Sequence, residues 1–297
     1  MRHVLSHGGH YLAVIALCVT CARPLAAAEW TRRAPGLAIA VWQALMLSVW
    51  LSLVGLSLSV ALAGYRTGEL AGLVRLAGDA DPALGPVQWT ALAAAAALTC
   101  ALAALTGRFA VGVLRARRRH RHLLDLVGTR DGGDVQVLPH PAVVAYCLPG
   151  RGGRLVVSSG AVAALSSAEL RAVLAHERAH AAERHDLVLL PFAALAALRL
   201  PLSALSLQAV SLLVEMRADD RACAAQGRDA VRRALRVFAT ASLAAVPAGA
   251  LGAAGQVAER LRRVDAGLPR LRAGAAALVV AMTVTVATTA PSLMLPW

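Results

Sequence analysis

The residues with the clearest chemistry are His176-Glu177-Arg178-Ala179-His180, an H-E-x-x-H pattern. On a helix, positions i and i+4 share a face, so both imidazoles can address one metal ion. Glu177 sits beside that face, within reach of a water on the ion's open side. This spacing suits zinc bound by two His, with Glu177 as the general base of a peptide hydrolysis. Such a site needs a third protein ligand, and Glu215 in Glu215-Met216-Arg217-Ala218-Asp219-Asp220-Arg221-Ala222 is the candidate. Asp219, one turn later, is placed to accept the free ring N–H of a ligating His and fix its tautomer. The competing reading makes Glu215 and Asp219 a solvated face paired with Arg217 and Arg221.

The element carrying the two His is announced locally. Ser166 and Glu169 form an S-x-x-E capping box, and Leu170, Val173 and Leu174 supply an apolar stripe. Upstream, Asp131-Gly132-Gly133 marks a turn and Val135–Leu138 reads as a short strand, followed by a break at Pro139–Pro141.

AVLAHERAH followed by E-x-x-A-D-x-x-A resembles the integral-membrane zinc metallopeptidases of the BlaR/MecR antirepressor type. More distantly, it is similar to the HtpX-like and CAAX-prenyl-type peptidases. The approach segments match too: Pro141–Cys147 and Arg154–Gly160, with Arg151-Gly152-Gly153 as a hairpin turn between them. The resemblance covers residues 135–225. It implies a zincin-like α+β domain in which a strand edge holds the substrate backbone, a single Zn2+ per chain, and a bacterial plasma-membrane location. Arg178 stands where many relatives carry an apolar or small residue, and no sensor domain follows the last hydrophobic segment.

The rest of the chain is expected to anchor this domain. Residues are 58% hydrophobic and only 4% aromatic, too apolar for an ordinary soluble domain. The net charge of +13 comes entirely from Arg. The Arg residues cluster beside hydrophobic segments without aromatic interleaving, so membrane topology explains them and no nucleic-acid partner is expected. The expected fold is mainly α, with about four transmembrane helices and the peptidase domain inserted before the last. Residues 1–114 carry three spans (about 4–22, 37–63 and 87–114), 115–272 form the domain, and 273–297 hold the fourth span and a tail. Arg clusters at 115–121 and 260–272 place the N-terminus outside and the domain in the cytoplasm. A cleaved signal peptide ending near Ala28 is the competing reading of the first segment.

Residues 187–214 are long enough to cross a bilayer. A single crossing would separate His176 and His180 from Glu215, and Arg199 near its middle would cost about 2.5–3.5 kcal/mol. With breaks at Pro191 and Pro201, an apolar helical hairpin is expected, lying against the membrane surface or within the domain, with a re-entrant pair as the alternative. Basic helices at 228–245 and 257–264, with a linker around Pro247–Gly255, read as solvated faces carrying a topology signal, with a place on anionic lipid headgroups as the alternative. His120 and His122 are expected to be solvated, and His140 to be a loop residue. Cys18 and Cys21 are expected to be packing residues rather than a redox pair. His185 is a weak candidate for substrate binding, with capping of the zinc helix the simpler role.

The implied chemistry is metal-assisted hydrolysis in which zinc lowers the pKa of its water toward about 7. Glu177 takes the proton and returns it to the leaving amine. Tyr146, His185 and Arg217 are candidate oxyanion donors, and the same Tyr146 and His185 are the weak substrate-binding candidates. The substrate is a protein or peptide: a cytoplasmic repressor-type partner, or damaged membrane proteins as in quality control. A non-hydrolytic zinc-binding scaffold is the third reading. A partner regulator or sensor protein is expected, and oligomeric state is left open.

Overall fold

The computed structural model describes residues 2–65, 67–127, 129–130, 135–148, 154–199, 201–245 and 251–267. The expected turns at 131–133 and 151–153, residues 247–250 of the proposed linker, and the expected span at 273–290 lie outside the described residues; Leu251–Gly255 of that linker are helical instead. The chain forms two compact units. One comprises Met1–Gly107 and Arg199–Ser206 with residues beyond the described ones, and the other comprises Arg108–Leu198 and Leu207–Arg270.

The first unit is helical. It contains α1 (Arg2–Ala27), α2 (Glu29–Arg33), α3 (Pro35–Ala61), α4 (Glu69–Gly78) and the first half of α5 (Pro86–Val127). Pro35 opens α3 at a position whose N–H has no intrahelical partner anyway. Tyr11 of α1 is fully buried because α3 presents Gly55 to it; a Cβ there would lie 2.5 Å from the tyrosine Cζ. Cys18 is buried, and both it and Cys21 are free thiols. Among the described residues three stretches, Gly8–Ala27, Pro35–Ala61 and Pro86–Asp125, are long and apolar enough to cross a membrane, which is compatible with a membrane protein. α5 continues well past Leu114, where the apolar run ends.

The second unit is α+β. Its sheet is formed by β1 (Thr129–Arg130), β2 (Val135–Leu138), β3 (Ala145–Leu148) and β4 (Arg154–Ser158), in the order β1-β2-β4-β3. β2 and β4 run parallel, and β3 pairs antiparallel with β4 and forms an edge. The segment before β3 is pinned by Ser158, whose Oγ donates to the Ala142 carbonyl (2.6 Å) and accepts from Val144 N–H (3.0 Å). His140 has the loop role expected of it, its Nδ1 accepting from Ala142 N–H.

Helices α6 (Ser159–Ala164), α7 (Ser167–Ala182), α8 (His185–Ala196), α9 (Pro201–Gln226), α10 (Arg228–Ala245) and α11 (Leu251–Ala266) follow. Two expectations change here. Pro191 lies inside α8 rather than ending it, while the expected break at Pro201 is present: the helix gives way to a turn at 197–199, where Arg199 takes φ 55, and α9 opens at Pro201. Beyond it, α9 runs unbroken from Pro201 through Glu215 and Asp219. The basic helices α10 and α11 are not merely solvated faces: Ala230, Val231, Leu235 and Val264 bury against Ala172 of α7 and Ala222 of α9. Alternation of small apolar residues with Arg hides such a core stripe in the composition.

Candidate metal centre

α7 has the capping box read from its sequence: Ser166 Oγ accepts from Glu169 N–H, and the Glu169 carboxylate accepts from Ser166 N–H at 2.9 Å. Arg233 of α10 closes on the same carboxylate at 3.0 Å, so the N-terminal charge of α7 also ties it to α10. Ala172, Val173 and Ala179 bury one side of α7. That leaves His176 and His180 together beside α9.

The structure brings His176, His180 and Glu215 to one point. Their imidazole Nε2 atoms are 3.0 Å apart. Glu215 Oε2 lies 3.4 Å from the first and Oε1 lies 3.5 Å from the second. Ligands at about 2.0–2.1 Å around a tetrahedral zinc lie about 3.3 Å from one another. These separations, which use both Glu215 oxygens, lie near that figure, and two imidazoles with one carboxylate are a zinc donor set.

Asp219 is almost wholly buried, with its Oδ1 3.0 Å from His176 Nδ1. It accepts two hydrogen bonds from Arg260 of α11, at 2.8 and 2.7 Å, and Arg260 also reaches Glu215 at 2.9 Å. Burial would raise the Asp219 carboxyl, but Arg260 and His176 overcome it and hold the group below its usual range. Burial likewise opposes charge on His176, yet its hydrogen bonds to Asp219 and Glu215 raise it to about 9. His180 goes the other way, lowered by burial to about 4.

Glu177 lines the same cavity, about 240 Å³ in volume, with His176, Glu215 and Arg260. Burial raises its carboxyl to about 7, offset in part by His176 and by a hydrogen bond accepted from Cys147 N–H of β3. The general-base candidate is thus tied to the edge strand.

The remaining candidates lie elsewhere. Tyr146 is not at the cluster: alternation along β3 sends Ala145 toward α7 and packs Tyr146 with Leu124 and Val156. Its hydroxyl meets His120 Nε2 at 2.6 Å, so His120 is not simply solvated. Arg217 is engaged by Glu183 at 2.9 Å, as is Arg221 at 2.5 Å, rather than by Glu215 or Asp219. His185 does not cap α7. It begins α8, is buried, and meets His180.

Sequence reasoning missed Arg260, taken only as a topology charge. The signal was present: Val257, Leu261 and Val264 form a stripe, and Arg260 sits within it at helical spacing from Val257 and Val264. A charge on a core-facing stripe implies a buried partner.

Residues 115–252 match the model of peptidase family M48, and the match supports a zinc metallopeptidase family. No curated protein and no solved structure matches the chain. The match reaches the metallopeptidase class and extends over His176, Glu177, His180 and Glu215, while Arg260 lies beyond its end.

Proposed function

We propose that the chain is a membrane-anchored zinc endopeptidase of the BlaR/MecR antirepressor type, with His176, His180 and Glu215 holding one zinc ion. The observation that carries the reading is the convergence of these three groups, with His176 and Glu215 lining one cavity beside Glu177. Zinc bound there would supply a water of lowered pKa and polarise a substrate carbonyl. Glu177, poised near neutrality by burial, takes and returns the proton.

β3 supplies the place for an extended peptide. Ser158 N–H donates to the Val144 carbonyl, so the alternate residues Ala145 and Cys147 direct their backbone groups to the free edge. Cys147 N–H meets Glu177 there, which joins substrate placement to the proton carrier. The apolar cavity wall from Val231, Leu235 and Phe238 favours an apolar substrate side chain. A cytoplasmic repressor-type partner is the proposed substrate; the Arg run after residue 114 supports a cytoplasmic domain.

Detergent-purified protein is expected to carry about one zinc per chain. His176→Ala removes it, while Glu177→Gln retains it and lowers peptide cleavage by about 10²–10⁴-fold. Absence of zinc from well-folded parent protein would sink the reading, and zinc without cleavage would move it to a relay.

A further inference from the structure

A ligating imidazole is held by whatever accepts its other N–H, ordinarily a carboxylate, a carbonyl or a water. His176 has Asp219. His180 faces the cluster through Nε2, and its Nδ1 meets no carboxylate but another ring, 2.9 Å from His185 Nδ1. The proton positions then follow. With Nε2 committed to the cluster, His180 carries its hydrogen on Nδ1 and donates it. His185 must accept through Nδ1, so its own hydrogen sits on Nε2. That nitrogen is buried and faces Glu183 Oε2 at 3.4 Å.

Glu183 is in turn fixed by Arg217 and Arg221 of α9. The chain turns sharply to make this possible: Glu183 caps α7, and Arg184 takes φ 48 before α8 starts. His185 is only 3% exposed and the rings are edge-on at 85°, so the contact is a built one.

We propose that His185 is a positioning residue of the metal centre, fixing the tautomer and orientation of His180 and linking it through Glu183 to Arg217 and Arg221. The inference rests on the reading of His176, His180 and Glu215 as zinc ligands. It differs from both roles expected for His185 from the sequence, since the ring neither caps α7 nor is placed to touch substrate.

The test is zinc affinity by chelator competition on the detergent-purified full chain, with the visible spectrum of the cobalt(II) form and the melting temperature of the metal-free form alongside. Asn Oδ1 falls near the place of His Nδ1, so His185→Asn keeps an acceptor for His180, and its zinc Kd is expected within about threefold of the parent. His185→Leu and His185→Gln leave His180 without an acceptor at that place; the zinc Kd is expected to rise about 10–100-fold, with a changed cobalt spectrum. The Asn and Gln variants are both polar and near His in size, so they decide the matter even if the Leu variant fails to fold.

Equal affinity and unchanged spectra in the Gln variant would overturn the inference. So would an equal loss in Asn and Gln that follows the metal-free melting temperature, since that reports packing alone. A parent that binds no zinc would instead be a failure of the metal-centre reading.

Discussion

The two imidazoles of the cluster sit four residues apart on one helix, yet they are braced in opposite ways. His176 leans on Asp219, a buried carboxylate compensated by Arg260, and its charged form is favoured. His180 leans on His185, a neutral ring, and burial favours its uncharged form. In the first arm the balancing charges are adjacent and buried. In the second they are pushed one residue outward, to Glu183 with Arg217 and Arg221, where solvent reaches them. One helix thus supplies two candidate ligands of the same chemical type but different electrostatic character. The first arm stores its strength in a buried ion pair, the second in geometry.

The largest difference should come from removing the acid of each arm. Asp219→Ala leaves the buried Arg260 with only its ion pair to Glu215, and since a fully unpaired buried charge costs about 3–5 kcal/mol, the loss should approach but not exceed that figure. Thermal melting in chelator, where zinc plays no part, measures this. Asp219→Ala combined with Arg260→Met should recover much of the loss. If the single substitution costs no more than a surface change, the first arm is not an ion-pair brace.

Zinc binding should also register the asymmetry. At neutral pH the metal-free His176 carries a proton that must leave, because its carboxylate neighbours hold it up to about 9 despite burial. His180 has none to give, since burial lowers it to about 4. Between about pH 7 and 9, apparent zinc affinity should therefore rise by at least about tenfold per pH unit, with the His176 share of the slope lost as pH passes the raised value. Below about 7, Glu177 adds a second proton to the exchange. Chelator competition across this range checks the slope; affinity independent of pH between about 7 and 9 would mean that His176 is not held in its charged form.

Glu183→Gln probes the outer end of the second arm. Although burial opposes it, hydrogen bonds from Arg217 and Arg221 hold the Glu183 carboxyl at about 2. A depressed carboxyl contributes stability that is present above its unfolded value and lost as pH falls through its folded one. The parent should therefore lose stability between about pH 4.5 and 2 partly through this group. The variant should show a flatter acid limb and a neutral-pH loss of about 1–2 kcal/mol, kept low because Arg221 is half exposed. An acid limb identical to the parent's would remove Glu183 from the arm.

How much of this was legible in sequence follows from distance along the chain. The His176–His180 spacing, the capping box and the Glu215–Asp219 turn are helical periodicities, and the structure shows them where the residues place them. The long apolar helices follow from run length alone. The partners of the cluster were less visible. Arg260 arrives from a helix some forty residues beyond Asp219, and its charge matched a topology signal equally well. His185 lies only five residues from His180, but a left-handed Arg184 returns it to the ring, and Arg is a residue type that does not announce that conformation. Tyr146 was misplaced for the converse reason: its neighbours Ala145 and Cys147 do face the site, and period-two alternation sends it to the other side of the sheet.

The smallest effect serves as the control for all the others. Ser166→Ala removes the hydroxyl that accepts Glu169 N–H at the start of α7, and should cost about 1 kcal/mol of melting stability. It touches neither arm, since the cap lies more than two turns before His176. Stability lost there should leave the zinc Kd, the cobalt spectrum and the slope of affinity against pH where they were. The loss should also be partial, because Glu169 keeps its bond to Arg233 and so keeps its place at the helix end. If Ser166→Ala instead weakened zinc binding as much as His185→Gln, the ligands would be responding to the order of α7 as a whole. The distinction between a charged brace and a geometric one would then collapse into helix stability.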